Sequence, residues 1–206
     1  MSRVKGAEMP RKLEVRRGML EDGELNRLLL NEKSLKYLTI WLWMCDCGLR
    51  VGEVLKLRVE EVFNWLDDAP NEVTTQEDIR IIGKRNKVRM VHPTKRLREA
   101  LLQYWADCEQ GGHMLALRIL LYSVGARVIE RTFKRRLLEV GIRREYLCPH
   151  SLRHTYATRL LRAGIDPMTV SISLGHTSLQ TTMGYLHTNP DLLRRVSFAL
   201  EEKQNG

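Results

Sequence analysis

The side chains of this 206-residue sequence that could perform chemistry lie in five short motifs. In chain order the motifs are Gly48-Leu-Arg50-Val-Gly-Glu53, Ile82-Gly-Lys84, Pro149-His150-Ser-Leu-Arg153-His154, Leu174-Gly-His176 and Tyr185-Leu-His187. Guanidinium groups bind phosphate oxygens through paired hydrogen bonds, and a tyrosine can act as a nucleophile when a base removes its proton. Two arginines, a lysine, histidines and a late tyrosine therefore form a set suited to attacking a phosphodiester without a metal ion.

Spacing within the motifs predicts that several of these side chains lie together. His150, Arg153 and His154 follow the i, i+3, i+4 pattern, which puts them on one helix face and favours a pocket. A row of solvated polar groups at a helix start is the alternative. Arg50 and Glu53 are also one turn apart. That spacing allows either a weak surface ion pair or a carboxylate that holds Arg50, or another basic group, in one direction.

The elements that would position these motifs are mostly helices with a small antiparallel sheet, so the expected fold class is mainly α (α+β). One hairpin is predicted from residues 78–82 and 88–91, with Lys84 at its tip, whereas the Trp65 to Gln76 stretch is expected to be a loop. Periodicity, caps and glycine stops predict helices over residues 21–30, 35–47, 49–57, 94–110, 127–140, 150–163 and 166–174, and a further helix from Ser178 that carries Tyr185.

The overall organisation is predicted to be an arm followed by one domain. Residues 1–19 are basic and lack periodicity, which indicates a flexible arm, and residues 20–206 form the domain, with a last helix over about 190–201. The net charge of +9 and a pI of about 9.6 favour a polyanionic partner, although charge alone is equally compatible with simple solubility.

Cysteine usage indicates a reducing compartment, and hydropathy predicts no membrane span. The longest apolar stretch, residues 38–47, is interrupted by polar residues and is too short to span a bilayer, and no secretory signal is recognisable. The four cysteines, Cys45, Cys47, Cys108 and Cys148, show no CxxC spacing. We therefore expect reduced, buried thiols in a cytoplasmic protein.

In their order and spacing, the five motifs resemble those of the tyrosine recombinase (phage integrase) family, and most closely the bacterial and phage branch that includes the Xer recombinases. The resemblance extends from about residue 20 to about residue 200. Each motif alone is a weak signal, but five in order, with the gap from His176 to Tyr185 intact, are a strong one. The resemblance implies the catalytic-domain fold of that family and site-specific cleavage and rejoining of DNA through a 3′-phosphotyrosyl intermediate.

The resemblance assigns the central chemistry to four residues. Arg50 and Arg153 would bind the non-bridging oxygens, where negative charge gathers during in-line attack, and His176 would donate to the same oxygens. Tyr185 would be the nucleophile. Because the phosphotyrosyl bond conserves the energy of the broken bond, rejoining would need neither ATP nor a cofactor.

Proton transfer and orientation are assigned to the remaining motif residues. His150 would take the proton of the nucleophile as general base, and Lys84, with Lys87 as its substitute, would protonate the departing 5′-oxygen. Glu53 and His154 would orient the reacting groups rather than react themselves.

A metal site is the alternative use of some of these residues. His150 and His154 have the i, i+4 spacing of some zinc sites, and Cys148 and His176 are further potential ligands. The guanidinium of Arg153 would, however, place a positive charge beside any cation. We therefore expect no metal and no cofactor.

The resemblance also implies partners: double-stranded DNA, further copies of the chain in a dimer to tetramer on that DNA, and accessory DNA-bending factors, with no membrane involved. Two alternatives to a recombinase stay open. A type IB topoisomerase-like enzyme would use the same residues as a monomer to relax DNA. A DNA-binding regulator, or a remnant without turnover, would keep the basic surface, although nothing in DNA binding alone requires Tyr185.

Two features depart from the family pattern. Members usually carry a DNA-clamping domain before the catalytic one, and only about 20 residues precede the first predicted helix here. The chain is thus expected to be a catalytic fragment or one of the short members, such as the fimbrial-switch invertases. The acidic loop with Asp67, Asp68 and Glu72 is longer than usual. The last helix is expected to pack either on its own core or on a neighbouring subunit.

Overall fold

Helices dominate the computed structural model, which describes residues 18–66, 69–83, 86–111 and 120–175. The helices in these ranges are α1 (Asp22–Leu30), α2 (Leu35–Asp46), α3 (Val51–Val54), α4 (Val59–Val62), α5 (Lys95–Gln110), α6 (Ala126–Glu139), α7 (His150–Arg162) and α8 (Pro167–Ser173). The strands are β1 (Phe63–Leu66), β2 (Ala69–Thr75), β3 (Ile79–Ile82) and β4 (Val88–Val91). The predicted mainly α class with antiparallel β-structure is confirmed.

Helix α2 lies at the centre of the core because it is apolar on nearly all sides. Every residue from Thr39 to Asp46 is buried, and the helix packs chiefly against α5 and α7. The Trp41 ring meets Phe133 of α6 edge-on, with centroids 5.3 Å apart, and the indole N–H of Trp43 donates to the Tyr122 hydroxyl at 3.1 Å. This packing holds the C-terminal end of α2, where the first motif begins, in one place.

Gly48 turns the chain from α2 into the first motif. Its φ is +64°, and an added Cβ would lie 2.6 Å from Cδ1 of Tyr156, so only glycine fits. The single helix predicted over residues 49–57 is wrong, because α3 ends at Val54. The backbone carbonyl of Leu57 accepts a hydrogen bond from the distant N–H of Leu121 at 2.8 Å, and this tertiary contact replaces a further helical turn.

The two sheets are separate antiparallel pairs. The predicted hairpin is confirmed as β3 and β4. The loop predicted from Trp65 to Gln76 is wrong, because β1 pairs with β2 and places Phe63 opposite Thr75. The buried Phe63 ring packs on Trp105 of α5 with centroids 5.0 Å apart. This contact and the β-branched Val73-Thr74-Thr75 run favour pairing over the turn residues in between.

Local capping begins and ends the later helices as predicted. The side chains of Thr94 and Asp166 each accept a hydrogen bond from the backbone N–H three residues further on, at the starts of α5 and α8. Gly141 and Gly164, with φ of +77° and +81°, follow α6 and α7. These helices carry the third motif and lead to the fourth.

The four cysteines are free thiols. Cys45, Cys47 and Cys108 are buried as expected, whereas Cys148 is only partly buried. Burial, together with the charge of Asp46, raises the pKa of the Cys45 and Cys47 thiols, so both stay protonated.

Several predictions fall outside the described residues. They are residues 1–17 of the arm predicted over 1–19, the acidic residues Asp67 and Asp68, the helix from Ser178 and the helix over about 190–201. Within the described ranges, the structure contains no helix with both the length and the apolar character needed to cross a membrane.

Candidate active site

Arg50 and Glu53 are in contact at the start of α3. One carboxylate oxygen of Glu53, Oε2, accepts from the backbone N–H of Arg50 at 2.8 Å, and Oε1 accepts from Nη1 of its guanidinium at 3.0 Å. The Glu53 side chain is 6% exposed and that of Arg50 is 38% exposed. A buried carboxylate therefore holds an arginine that solvent can reach, which is more than the weak surface ion pair considered from the sequence.

Arg89 also binds Glu53, although none of the five motifs contains it. Its Nη1 donates to Oε1 at 3.0 Å and its Nη2 donates to Oε2 at 2.8 Å. Arg89 lies on β4, on the same buried face as Val91. Arg89 was not predicted from the sequence. The alternation of buried and exposed residues along a strand could have identified it. This alternation places Arg89 at a buried position, where an arginine needs an anionic partner.

Arg153 of α7 is buried and connects two motifs. Its Nη2 donates to the carbonyl oxygen of Leu174 at 2.6 Å, and its Nη1 donates to the carbonyl oxygen of Gly48. Its Nη1 also lies 3.9 Å from Oε2 of Glu53. Because Gly48 and Leu174 belong to the first and fourth motifs, Arg153 joins segments that are far apart in the sequence.

Positive charge exceeds negative charge at this site. Arg50, Arg89, Arg153 and Glu53 together carry a net charge of +2. Burial, followed by the charges of Arg50 and Arg89, lowers the pKa of Arg153 to about 9, so its guanidinium remains protonated at neutral pH. Burial would raise the pKa of Glu53, but hydrogen bonds and charge from Arg89 and Arg50 outweigh it and hold that pKa at about 2. The cluster therefore keeps an excess of positive charge, which attracts anions.

The histidines of the third motif lie on the outer side of α7. His150 and His154 are exposed, and their rings meet edge-on with centroids 4.7 Å apart. The prediction that one helix face carries all three residues is therefore confirmed for the two histidines and wrong for Arg153. Consecutive helical residues diverge by about 100°, and the side chain of Arg153 points inward. Desolvation by neighbouring atoms and the charge of Arg153 lower the pKa of His154, which favours its neutral form.

Two motif glycines lie against the arginine–carboxylate pair. A Cβ added to Gly83 would lie 3.2 Å from Oε1 of Glu53, and one added to Gly175 would lie 3.3 Å from both Cδ and Nη1 of Arg89. Gly175 also has a φ of +65°, which favours glycine for a second reason. The second and fourth motifs therefore approach the same buried pair as the first.

Lys84, His176 and Tyr185 lie outside the described residues, and their roles stay predictions. Lys87, the substitute for Lys84, is half-buried, and its carbonyl oxygen accepts from the N–H of Gly83 at 2.7 Å to close the base of the hairpin turn. Across the described ranges, no three histidine, cysteine or acidic side chains gather closely enough to hold a metal ion.

Known proteins resemble this chain in both sequence and fold. The model of the phage integrase family matches residues 19–191. Tyrosine recombinase XerC from Haemophilus influenzae (strain 86-028NP) is 32% identical over 184 residues, which cover 85% of this chain and 58% of XerC. The chain thus spans little more than half the length of such curated relatives.

Solved structures of recombinases share the fold. The crystal structure of XerA recombinase superposes with a TM-score of 0.63 at 26% identity, covering 92% of this chain and 65% of XerA. The XerH site-specific recombinase, bound to its difH substrate in a pre-cleavage complex, gives a TM-score of 0.61 at 24% identity, covering 81% of this chain and 49% of XerH. The described helices and hairpins therefore belong to a catalytic-domain fold found in DNA recombinases.

Proposed function

The chain belongs to the phage integrase family, and from that premise we propose that it acts as a site-specific DNA recombinase through a tyrosine nucleophile. Residues 20–206 form the catalytic domain in this proposal, and the basic residues 1–19 form an arm. Arg50, Arg153 and His176 bind the scissile phosphate, Tyr185 attacks it, and His150 and Lys84 transfer protons.

The observation that carries the proposal is the convergence of Arg50, Arg89 and Arg153 on the carboxylate of Glu53. The excess of two positive charges is costly to keep beside one buried carboxylate unless an anion binds. Arg50 is the exposed member and offers a planar pair of donors to two phosphate oxygens. A phosphodiester that gains negative charge in the transition state would be stabilised more than its ground state, which is the condition for catalysis.

The proposed reaction consists of two transesterifications. The hydroxyl oxygen of Tyr185 forms a bond to phosphorus, the bond from phosphorus to the 5′-oxygen breaks, and the 3′-end becomes a phosphotyrosyl ester. His150 receives the tyrosine proton, and Lys84 gives a proton to the departing 5′-oxygen. A 5′-hydroxyl from a second strand then attacks the ester and releases the tyrosine. The number of phosphodiester bonds is unchanged, so no energy source is required.

Activation of the tyrosine is the step that most needs the cluster. Ionising a tyrosine with a pKa near 10 at pH 7 costs about 4 kcal/mol, at about 1.4 kcal/mol for each pH unit. Nearby guanidinium groups reduce that cost, and a base such as His150 removes the proton as attack proceeds. The neutral form favoured at His154 suits a side chain that orients its neighbour by accepting a hydrogen bond.

The proposed partner is double-stranded DNA. In support, XerH is a structural neighbour captured on its difH substrate, and the sequence carries a net charge of +9. We further propose that two to four copies assemble on DNA in the cytoplasm, with accessory DNA-bending factors where a site requires them.

A suicide-substrate assay tests the proposal. Nicked duplexes taken from the DNA that flanks the gene would be incubated in EDTA with the wild type, with Tyr185→Phe and with Tyr146→Phe as a matched control at an exposed tyrosine. A denaturing gel should show a covalent protein–DNA band for the wild type and for Tyr146→Phe only. Tyr185→Phe should still shift the same DNA in a native gel.

Other results would contradict specific parts of the proposal. An adduct formed by Tyr185→Phe would remove Tyr185 as the nucleophile. Relaxation of plasmids that contain none of the flanking DNA would favour a topoisomerase-like enzyme. Specific DNA binding by the wild type without any adduct would indicate a DNA-binding regulator.

A further inference from the structure

Arg89 controls the direction of the Glu53 carboxylate. Its guanidinium meets the carboxylate as a two-pronged fork, with both hydrogen bonds between 2.8 and 3.0 Å. A planar fork of this kind permits one relative orientation of the two groups. The carboxylate can turn only if this fork breaks.

Because Arg89 fixes the orientation of the Glu53 carboxylate, it also limits where Arg50 can bind that carboxylate. Each oxygen of Glu53 accepts one hydrogen bond from Arg89 and one from Arg50: Oε1 from the Nη1 of both arginines, and Oε2 from Arg89 Nη2 and the Arg50 backbone N–H. Arg50 therefore binds the positions on the carboxylate that Arg89 leaves available. The direction of the Arg50 guanidinium therefore depends on Arg89, which lies in a different element of secondary structure.

Burial separates the roles of the two arginines. The side chain of Arg89 is 5% exposed, whereas that of Arg50 is 38% exposed. A phosphate arriving from solvent can reach Arg50, but Arg89 lies beneath Glu53. Within the described part of the chain, Arg89 Nε is buried without a hydrogen-bond partner, so the fork to Glu53 is the polar anchor of this side chain.

Two glycines pack closely against the pair. Gly83, at the base of the hairpin turn, and Gly175, at the end of α8, both lie so close that an added Cβ would press on Glu53 or Arg89. β4 also carries Arg89 itself, so the hairpin and the turn after α8 are packed around one ion pair. Small movements of these segments are therefore coupled to the fork.

We infer that Arg89 is a positioning residue, which holds Glu53 so that Arg50 points its guanidinium at the scissile phosphate. This inference rests on the proposed function. Arg89 itself does not touch the DNA. Its removal is expected to slow strand cleavage through Arg50, and to have no further effect once Arg50 is absent.

The test is a double-mutant cycle in single-turnover adduct formation at saturating nicked duplex. Arg89→Met, Arg50→Ala and the double variant would be compared with the wild type, and Arg80→Met, at an exposed position on the same hairpin, serves as the matched control. Arg89→Met should slow cleavage by about 10- to 100-fold, as is common for residues that orient a reacting group. The double variant should be no more than about threefold slower than Arg50→Ala.

The outcomes separate the two claims. Equal rates for Arg89→Met and the wild type, or a double variant slowed by the product of the single effects, would overturn the inference and leave the proposed function intact. No adduct from the wild type on any flanking DNA would overturn both. If Arg89→Met does not fold, Arg89→Lys keeps the charge without the fork, and its smaller defect must likewise vanish in the Arg50→Ala background.

Discussion

Two buried carboxylates, Asp46 and Glu53, each bind arginines, yet the two clusters differ in charge balance. Arg96 binds Asp46 through Nε at 2.6 Å and Nη2 at 2.5 Å. Arg159 lies 3.8 Å from Asp46 and 3.5 Å from Asp22, so two carboxylates face two guanidinium groups. At Glu53, one carboxylate faces three guanidinium groups.

Burial does not separate the two clusters. The Asp46 side chain is fully buried among α2, α5 and α7, and burial, which would raise its pKa, is outweighed by Arg96, so the pKa is lowered. Glu53 is nearly as buried, and each cluster has a member that solvent can reach, Arg50 beside Glu53 and Asp22 in the cluster of Asp46. A cluster whose charges balance joins helices, whereas a cluster with excess positive charge and an exposed arginine can bind an anion. Excess charge, and not burial, distinguishes the site from the scaffold.

The largest expected effect is the loss of Asp46. Asp46→Ala leaves the charges of Arg96 and Arg159 without their shared buried partner, and should lower the free energy of unfolding by about 3–5 kcal/mol. Urea denaturation measures this change. Asp107→Ala, at an exposed position on α5, is the control and should cost less than about 0.5 kcal/mol. A loss below about 1 kcal/mol for Asp46→Ala would mean that the cluster does not stabilise the fold.

Removal of Arg50 should slow the reaction while leaving the fold stable, which is the opposite of what is expected for Asp46. Arg50→Ala is expected to slow adduct formation by about 100- to 1000-fold, the usual effect of losing one donor to the transition state. The free energy of unfolding should change by less than about 1 kcal/mol, since the side chain is partly exposed. Arg58→Ala, which removes an exposed arginine paired with Glu60 at 2.9 Å, should change neither quantity appreciably. A stability loss as large as that of Asp46→Ala would erase the distinction between the clusters.

The loss of stability at low pH should show that Glu53 is ionised in the folded chain. Its pKa is held at about 2 in the folded chain, whereas an unperturbed glutamate has a pKa of 4.5. The stabilising effect of its charge is therefore complete above pH 4.5 and is lost as the pH falls toward 2. The loss amounts to about 3 kcal/mol. Denaturation of the wild type and Glu53→Gln across this range should show the steeper decline in the wild type. Parallel curves would contradict the lowered pKa.

The smallest effect concerns Thr94, which links the cap of α5 to the balanced cluster. Its hydroxyl donates to Asp46 at 2.8 Å and accepts from the backbone N–H of Leu97 at 3.4 Å. Thr94→Val should lower the free energy of unfolding by about 2 kcal/mol without slowing adduct formation, whereas Thr94→Ser should retain most of that stability. A larger loss for Thr94→Ser than for Thr94→Val would show that the methyl group, and not the hydroxyl, matters.

Local patterns predicted much of the fold, and one of them predicted the first contact of the site. Thr94 and Asp166 cap the helices they were expected to cap, because a cap needs only its own turn. Arg50 and Glu53 meet because they are one helical turn apart. The β1–β2 pair was missed because its pairing depends on the contact of Phe63 with Trp105, which no local pattern contains.

The sequence alone determined the types of residue available for chemistry, the family motifs that carry them and the helices that begin and end at local signals. Packing in three dimensions set the rest: Arg89 shares Glu53 with Arg50, and Arg153 turns away from His150 and His154. The physical reason is that a buried charge must find its partner, and the partner is selected by packing among segments distant in the chain. Spacing along the sequence does not record that choice.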